Sequence, residues 1–385
     1  MMKVAVVRGK FLNKYEMQFF EPLAAHPPAG EAGFDITAFG SLTSFHDRFT
    51  FPVVKLPSPM DLPDFPYKMP VLNRLFTDAH YLLGLEGRLK GFDLVHTAET
   101  YFHYTQQCLN AKKKGYVKKV IATVLENIPF NNEGIRGRRE FKMRARAELD
   151  HIIALTNKTK AALLQEGADP KKITVISHFI DTKTFYPTKE ARQRRAQTRK
   201  KLTILFSGRL EWYKGVFDIV EAANKLIHDP KLQQYLLAFV FVGNGSERQK
   251  LIDLIHTYGI ERHFKFMHVT YNEMNAQYNS AEIFIAPSKP TLTYEEQYCT
   301  ALLEAQACGL PIVTTRSGGI PENIGDAGIL VEPADVSGIA QALKSYILSP
   351  KKRILYAARA RQRAVQVHDA GIGAKKLAAL YTSLF

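Results

Sequence analysis

Residues 202–227 read LTILFSGRLEWYKGVFDIVEAANKLI, and this stretch decides the fold. An apolar run at residues 202–206, typical of a buried strand, leads into a glycine-containing turn. Helical periodicity then extends over residues 216–227. A strand, a turn and a helix in succession form the repeating unit of a parallel α/β sheet. The stretch therefore predicts a parallel sheet covered by helices.

The same alternation continues in both directions. In the first half, strands are predicted at residues 3–8, 34–39, 93–98, 120–125, 151–155 and 173–176. In the second half, they are predicted at residues 202–206, 237–242, 264–267, 283–286, 312–315 and 328–331. A chain of 385 residues fits two domains. The prediction is an α/β protein with two Rossmann-like, doubly wound parallel sheets.

A polar stretch separates these halves. Residues 187–200, PTKEARQRRAQTRK, contain almost no apolar side chains, as expected of a linker. We therefore predict one domain over residues 1–186 and a second over residues 201–369, with a basic linker between them.

The composition excludes several classes of protein. With 46% hydrophobic and 23% charged residues, the chain is not disordered, collagenous or coiled-coil. Its cysteines, Cys108, Cys299 and Cys308, are too few for a disulfide framework and lack metal-binding spacing. The apolar run at residues 4–7 is too short for a signal peptide, and no stretch approaches about 18 consecutive apolar residues. These features predict a cytoplasmic protein.

The net charge of +15 needs a cause, and most of it lies in the first half. Residues 1–200 contain 32 Lys and Arg against 20 Asp and Glu. Such an asymmetry suggests a polyanionic partner, either nucleic acid or an anionic membrane surface. The basic residues are not interleaved with the aromatic side chains on which single strands stack, so no nucleic-acid partner is predicted.

A basic cluster at residues 136–146 favours the membrane. On a helix, Arg138, Lys142 and Arg146 would form one stripe beside apolar residues, which suits a helix at a lipid headgroup boundary. We therefore predict contact of residues 112–146 with an anionic membrane surface, at the inner face of the cell membrane. A helix packed on its own sheet explains the stripe equally well.

Chemistry is expected in the loops after the strands of the second half, because open α/β sheets bind ligands at their carboxyl edge. Arg209 and Lys214 follow the strand at 202–206 and precede a helix, an arrangement that suits a diphosphate. A second glycine-rich turn, Gly243-Asn244-Gly245, follows the next strand. Either pattern alone is weak evidence.

Two carboxylates follow the strand at 283–286. Glu296 is predicted at the N-terminus of an apolar helix, where the helix dipole stabilises a negative charge. Glu304 lies eight positions further along, which would place both carboxylates on one helix face. Glu304 is surrounded by Leu and Ala, and a buried carboxylate needs a partner. A ribose diol would satisfy it.

In this order and spacing the motifs resemble the donor domain of retaining glycosyltransferases of the GT-B fold, family 4. The resemblance covers residues 173–335 and rests on Gly208-Arg209-Leu210 with Lys214-Gly215, Gly243-Asn244-Gly245, Ala286-Pro287-Ser288, the pair Glu296 and Glu304, and Ser317-Gly318-Gly319. It implies two Rossmann-like domains facing across a cleft. It also implies that a C-terminal helix at about residues 370–385 returns to the first domain.

The resemblance assigns roles to individual residues. Arg209 and Lys214 match the cations that stabilise the departing diphosphate. Glu296 matches the glutamate that contacts the donor sugar, and Glu304 matches the glutamate that contacts the ribose. Further donor-binding positions implied are Gly208, Asn244, Val269, Gln297, Tyr298, Cys299 and Thr300. Cys299 and His268 stand where the family often has glycine. These two departures leave the identity of the donor open.

The first half resembles the family only weakly. Gly9 and Lys10 follow the first strand, and Gly9 is placed to let the backbone approach the donor diphosphate. Glu99, Glu126 and Asn127 end two later strands and are the predicted acceptor-binding residues, together with Lys10. Glu126 is also a candidate for orienting or deprotonating an acceptor hydroxyl. His96 and His103 favour a structural role.

The function predicted from the resemblance is transfer of a sugar, with retention, from a UDP- or GDP-sugar to an acceptor hydroxyl on a glycan or a membrane lipid. Glu296, Arg209, Lys214 and Glu126 are the catalytic candidates. We expect neither a cofactor nor a metal ion, since no Asp-x-Asp pair follows a matching strand. The alternatives are a nucleotide-sugar epimerase, a sugar-nucleotide-binding protein without activity, and a basic nucleic-acid-binding protein.

Overall fold

The computed structural model describes residues 1–24, 33–46, 48–197 and 200–385. The chain divides into two units. The first comprises Met1–Phe179 and Ala370–Phe385, and the second comprises Ile180–Asp369. Each unit has its own parallel sheet and its own hydrophobic core. The predicted pair of doubly wound α/β sheets is confirmed.

The first sheet has its strands in the order β3-β2-β1-β4-β5-β6-β7, and every described pairing is parallel. The strands are β1 (Met2–Gly9), β2 (Phe34–Ser41), β3 (Val53–Leu56), β4 (Phe92–Ala98), β5 (Val117–Val124), β6 (His151–Ala154) and β7 (Ile173–Val175). The helices are α1 (Lys14–Met17), α2 (Phe20–Ala24), α3 (Lys68–Phe76), α4 (Leu85–Arg88), α5 (His103–Lys113), α6 (Arg138–Glu148) and α7 (Asn157–Gln165).

The second sheet has the order β10-β9-β8-β11-β12-β13. Its strands are β8 (Lys201–Ser207), β9 (Leu236–Val242), β10 (Phe264–Met267), β11 (Ile283–Ala286), β12 (Ile312–Thr315) and β13 (Ile329–Val331). Its helices are α8 (Lys189–Ala196), α9 (Val216–Ile227), α10 (Arg248–Thr257), α11 (Met274–Ser280), α12 (Thr300–Ala307), α13 (Ile320–Ile324), α14 (Val336–Leu348) and α15 (Pro350–Val367). A last helix, α16 (Ala370–Ser383), belongs to the first unit.

The stretch at 202–227 folds as its pattern predicts. Leu202, Ile204 and Phe206 of β8 are buried in the second core, together with Ile219 and Leu226 of α9. Each large apolar side chain removed from water contributes about 1.5–3 kcal/mol. Alternate side chains of β8 and one face of α9 thus pack into the same hydrophobic core.

Each of the predicted strands overlaps an observed one, and β3 is the strand that the pattern missed. Its four residues lie at the edge of the sheet, and three of them remain accessible to solvent. An edge strand need not carry an apolar run, so periodicity does not reveal it.

Residues 187–197 do not form the predicted linker, and residues 198–199 of that prediction lie outside the described residues. The second unit already begins at Ile180, and α8 packs against α15 within it. The guanidinium of Arg195 is buried and donates to the carbonyl oxygens of Tyr278 and Ala281. Arg192 donates to the carbonyl oxygen of Pro187, and Arg194 pairs with Glu282 at 2.6 Å. The polar composition of the stretch therefore reflects cations that bind acceptors within the second unit.

Candidate active site

Two loops meet at the carboxyl edge of the second sheet. β8 and β11 are neighbours there, and the strand order reverses between them, which is where α/β sheets bind ligands. Gly215, in the loop after β8, has φ 71°, and a Cβ at this position would lie 2.0 Å from the carbonyl oxygen of Pro287. Glycine at 215 therefore lets the loop after β8 touch the loop after β11.

Lys214 and Glu296 form a buried ion pair between these loops. Lys214 Nζ lies 2.6 Å from Glu296 Oε2, and the hydroxyls of Ser288 (2.8 Å) and Tyr294 (2.9 Å) donate to the same oxygen. Burial alone would raise the pKa of the Glu296 carboxyl, but the Lys214 ammonium and the two hydroxyls hold that pKa below its usual value. Both members of the pair are therefore charged at neutral pH.

Glu296 does not lie on the predicted helix. The α-helix begins at Thr300, so Glu296 precedes it in the loop, and the argument that helical spacing aligns Glu296 with Glu304 is wrong. The loop conformation is held by the hydrogen bonds that Glu296 accepts from Ser288 and Tyr294, and by a bond from Gly319 N to Glu296 O of 2.8 Å. The bonds from Ser288 and Tyr294 lie within the same loop, and the bond from Gly319 comes from a distant one; sequence periodicity shows neither kind.

Glu304 is buried inside α12 and has one oxygen available. Its Oε2 accepts the hydroxyl of Tyr278 at 2.6 Å, while its Oε1 has no hydrogen-bond partner within the described residues. Burial raises the pKa of the Glu304 carboxyl to about 7, and the Tyr278 hydroxyl opposes this rise. A buried carboxylate oxygen without a partner is costly, and a ligand hydroxyl would offset that cost.

Cys299 has a strained backbone at a position where the family often has glycine. It precedes α12 with φ 58°, in the left-handed region that glycine adopts without cost. The side chains of Gln297 and Thr300 on either side of it are half-buried. The ring of Tyr298 is buried and packs against His368. The carbonyl oxygen of Tyr298 accepts the side-chain amide of Asn323, so neither the ring nor this oxygen faces a ligand at this helix start.

The remaining predicted donor residues lie in the loops after β8, β9 and β10. Arg209 is exposed, its guanidinium 5.6 Å from the ring of Tyr213, and no carboxylate pairs with it in the described ranges. Gly208 N donates to the carbonyl oxygen of Val242 (3.0 Å), and the carbonyl oxygen of Asn244 accepts the N–H group of Leu210 (2.9 Å), so backbone hydrogen bonds connect the loops after β8 and β9. Val269 follows β10 and is half-buried.

In the first unit, the structure brings together Glu99, Glu126 and Asn127. Glu99 has φ 57°, and its Oε1 accepts the backbone N–H groups of Leu125 (2.9 Å) and Glu126 (3.2 Å). Burial, with the nearby Glu126 carboxyl, raises the pKa of Glu99 to about 8. Burial also raises the pKa of Glu126, whose carboxylate accepts the amide of Asn131. Glu99 is therefore largely protonated at neutral pH and can donate a hydrogen bond.

The other predicted residues of the first unit have internal partners. Gly9 ends β1 with φ 54°, and Lys10 Nζ donates to the carbonyl and hydroxyl oxygens of Thr43 at 2.6 and 2.7 Å. His96 is buried between the hydroxyls of Tyr381 (2.6 Å) and Thr123 (2.7 Å), as its predicted structural role requires.

Sequence reasoning assigned no role to three polar side chains of the second unit, Tyr278, Ser288 and Tyr294, although Ser288 belongs to a motif that carries the resemblance. Ser288 directly follows a strand that was predicted, so its position at the carboxyl edge was a usable signal. Tyr294 had no such signal because it lies in an irregular loop, two residues before Glu296. Tyr278 had none because its hydroxyl reaches Glu304 through a tertiary contact.

The basic stripe predicted to contact a membrane is buried. Arg138 pairs with Asp78 at 2.8 Å, and Lys142 (2.5 Å) and Arg146 (2.8 Å) pair with Glu166. All three cations thus point into the first unit, as in the alternative of a helix packed on its own protein. Several cations of residues 112–119 are also paired, among them Lys112 with Asp150, Lys114 with Glu86 and Lys118 with Asp93.

Other reactive groups are few in the part of the chain that is described. No three His, Cys, Asp or Glu side chains there converge on a position that could hold a metal ion. Nor does a helix in these ranges have the length and apolar composition needed to cross a bilayer. The three cysteines are free, and burial raises the pKa of each thiol, which disfavours a nucleophilic role.

Two family models match this chain. The model for Glycosyl transferases group 1 matches residues 187–363, and the model for Glycosyltransferase Family 4 matches residues 29–184. Together they extend over both units. The chain belongs to family 4 of the glycosyltransferases, group 1. The two matches meet close to residue 180, where the structure divides the family 4 chain into its units.

Among curated proteins, this family 4 member is similar to a D-inositol 3-phosphate glycosyltransferase of Geodermatophilus obscurus. The identity is 30% over 229 residues, which cover 57% of this chain and 49% of the relative. It is also 31% identical over 206 residues to a glycogen synthase of Mycobacterium tuberculosis, covering 53% and 46% of the two chains. The chain thus spans about half the length of these curated relatives.

Among solved structures, Anabaena HepE in complex with UDP matches over 100% of both chains with a TM-score of 0.77 and 16% identity. A sucrose-phosphate synthase from Thermosynechococcus elongatus matches with a TM-score of 0.75 and 20% identity, over 100% of this chain and 99% of the other. At these identities the matches show the fold alone. The family 4 member has the GT-B glycosyltransferase fold.

Proposed function

We propose that the protein is a retaining glycosyltransferase that transfers a sugar from a UDP- or GDP-sugar to the hydroxyl of a glycan or lipid acceptor, without a metal ion. The observation that supports this most directly is the Lys214–Glu296 pair, at the carboxyl edge where the strand order of the second sheet reverses. A buried, fully charged pair costs desolvation energy, and a ligand that needs both charges explains its position.

The donor would be held through three contacts. Glu304 Oε1, which has no hydrogen-bond partner in the described chain, accepts a ribose hydroxyl. Arg209 and Lys214 stabilise the negative charge that grows on the leaving diphosphate. Glu296, kept ionised by Lys214, orients the donor sugar through hydrogen bonds. That HepE was solved with UDP makes UDP the first nucleotide to test.

In the proposed reaction, the acceptor oxygen forms a bond to the anomeric carbon on the face from which the diphosphate departs. The bond between that carbon and the diphosphate oxygen breaks, and its electron pair stays on the diphosphate. The acceptor proton passes to the departing diphosphate. The cations of Arg209 and Lys214 carry out the charge stabilisation that a metal ion would otherwise supply, which is why we propose a metal-independent reaction.

A nucleotide screen followed by a product assay tests this proposal. The melting temperature should rise with UDP or GDP and not with ADP, because a ligand that binds the folded state stabilises it by mass action. Incubation with the matching nucleotide-sugars in EDTA should release the nucleoside diphosphate, and proton NMR should show the anomeric configuration of the donor retained in the product. No shift with any nucleotide, or a product of inverted configuration, contradicts the proposal.

The same assay separates the alternatives. A nucleotide-sugar epimerase would form product without an acceptor, and an inactive binding protein would show the thermal shift but no turnover. A nucleic-acid-binding protein would bind DNA or RNA with an affinity that falls steeply as salt is added. The buried carboxylate of Glu304, which accepts the hydroxyl of Tyr278, would have no function in a nucleic-acid-binding protein, and this counts against that alternative.

Membrane contact through residues 112–146 is retained as a narrower proposal. With the stripe of α6 buried, it rests on the exposed cations Lys113, Arg136 and Arg139, for which the described residues show no ion pair. Vesicles of phosphatidylcholine with phosphatidylglycerol should sediment the protein more than phosphatidylcholine alone, and replacing these three residues by glutamine should abolish the difference. If the fraction of protein that sediments is the same with and without the anionic lipid, the proposed membrane contact is contradicted.

A further inference from the structure

The chain has a single tryptophan, and it is exposed beside the candidate active site. Trp212 lies in the one-turn 3-10 helix Trp212–Lys214 between β8 and α9, with 48% of its surface accessible. Tryptophan offers the largest apolar surface of any side chain, and half-exposed aromatic residues are enriched where proteins bind partners. Trp212 is therefore accessible to a ligand that binds at the carboxyl edge of the second sheet.

A continuous row of aromatic rings connects Trp212 to the buried ion pair. The rings of Trp212 and Tyr213 are 6.0 Å apart at 83°, and those of Tyr213 and Tyr294 are 4.3 Å apart at 51°. The hydroxyl of Tyr294 then donates to Glu296 at 2.9 Å. A ligand that reaches Glu296 and also covers Trp212 must extend past two intervening rings, further than one sugar ring spans.

The loop after β11 adds a second exposed apolar side chain. Leu292 is 95% accessible, at the tip of a turn in which Thr291 Oγ1 accepts the backbone N–H groups of Thr293 and Tyr294. Lys289 N donates to the carbonyl oxygen of Tyr213 at 2.7 Å, so this loop is tied to the turn that carries Trp212. The turn is internally hydrogen-bonded, yet Leu292 is left in solvent.

The chemistry around these rings favours a carbohydrate over a purely apolar partner. The Arg209 guanidinium lies 5.6 Å from the ring of Tyr213, and the Lys214 ammonium lies 5.3 Å from the ring of Tyr294. A pyranose presents apolar C–H groups on its faces and hydroxyls at its edge, and it matches flat rings bordered by hydrogen-bond donors. A lipid tail would instead bring apolar chains against the exposed guanidinium of Arg209, for which the described residues show no ion pair.

We propose that Trp212, with Tyr213, Tyr294 and Leu292, forms a subsite for a pyranose ring of the acceptor, so that the acceptor is an oligosaccharide or a glycan chain. This inference rests on the proposed function. The second unit, which binds the donor, thereby also contributes to recognition of the acceptor. The row of aromatic rings sets the distance between the reacting sugar at Glu296 and the acceptor sugar at Trp212.

The emission of Trp212 tests the proposal without an activity assay. The protein, saturated with UDP, is titrated with hexasaccharides of glucose, mannose, galactose and N-acetylglucosamine. We expect a saturable change in emission with at least one of them. Calorimetry on Trp212→Ala should show at least tenfold weaker binding, Trp212→Phe should retain most of it, and Leu236→Ser, an exposed apolar residue at the start of β9, should bind normally.

Three outcomes overturn the proposal: no emission change with any hexasaccharide, equal binding by Trp212→Ala, or an emission change produced by phosphatidylcholine vesicles and by no sugar. The last would indicate a lipid surface. The thermal shift with UDP and with GDP is measured on the same samples. If UDP or GDP binds and no sugar does, the subsite is refuted while the donor site stands, and if neither nucleotide binds, the proposed function fails first.

Discussion

Replacing Lys214 by methionine removes the ammonium from a carboxylate that stays buried. Methionine retains most of the length of the lysine side chain, so the change is mainly electrostatic. In the native protein Glu296 is ionised because Lys214 lies 2.6 Å away, and the hydroxyls of Ser288 and Tyr294 alone would then have to hold the charge. The pKa of Glu296 should therefore rise above its usual value in the variant, since burial is no longer opposed.

The magnitude follows from two limits. Removing one partner of a buried ion pair costs about 3–5 kcal/mol, and the two remaining hydroxyl donors favour the lower end. The loss of stability has an upper limit, because Glu296 can escape the burial of its charge by taking up a proton. Taking up that proton costs about 1.4 kcal/mol for each unit by which the pH exceeds the pKa of a glutamate in the unfolded chain, which is about 4.3. This upper limit is about 5 kcal/mol near pH 8 and about 1.6 kcal/mol near pH 5.5. The loss should thus be about 3 kcal/mol at the higher pH and at most half of that at the lower.

Urea unfolding followed by the emission of Trp212 measures this loss, because the single tryptophan reports the second unit. In the native protein the low pKa of Glu296 adds stability that is lost as pH falls, and in Lys214→Met the sign reverses and stability rises as pH falls. The double variant Lys214→Met/Glu296→Gln has no charge to bury and should recover most of the loss near pH 8. An equal loss at both pH values would refute the reasoning.

Three further outcomes are expected. The UDP affinity of the native protein should increase as pH rises through about 7, because Glu304 then ionises and can accept ribose hydroxyls through Oε1. Calorimetry measures this increase. In Glu304→Gln the affinity should change with pH only through the titration of the nucleotide phosphate. Lys142→Met should destabilise the first unit by about 2 kcal/mol in thermal unfolding followed by circular dichroism, because Glu166 loses one of its two cations and keeps Arg146. Exposed Lys113→Met should cost under about 0.5 kcal/mol, and equal costs would contradict the burial of the stripe. Cys299→Gly should raise the stability of the second unit by up to about 1 kcal/mol in urea, since it relieves the backbone at φ 58°, and a loss would show that no strain is stored there.

The arrangement of strands could be predicted from sequence because buried parallel strands have local signals. β8 to β13 are each short, apolar and bounded by turns, and the helices between them have a 3.6-residue period. The same signals predicted where Arg209, Lys214 and Glu304 lie. Arg209 and Lys214 lie between a predicted strand and a predicted helix, and Glu304 lies on a predicted helix.

The loop at residues 287–299 could not be predicted, because its shape depends on contacts with distant residues. Periodicity alone extended α12 back to Glu296, whereas the ion pair to Lys214 and the backbone contact to Gly319 hold that residue in an irregular segment. Hydrogen bonds between residues far apart in the chain have no sequence pattern.

Cationic stretches were misinterpreted for a related reason. Composition suggested that residues 187–200 were solvated, but Arg195 binds the backbone carbonyls at the end of α11. Similarly, Arg138 and Lys142 pair with Asp78 and Glu166, which are 60 and 24 residues away along the chain. A count of charges cannot distinguish a solvated cation from one that a distant acceptor has buried.

Calorimetric titration with UDP and with GDP tests the central claim, that the second unit binds a nucleoside diphosphate through Lys214 and Glu304. One of the two nucleotides should bind the native protein with one site per chain. Lys214→Met and Glu304→Gln should each weaken that binding at least tenfold, and Leu236→Ser should leave it unchanged. If neither nucleotide binds, or if both variants bind as tightly as the native protein, the site is not the one described.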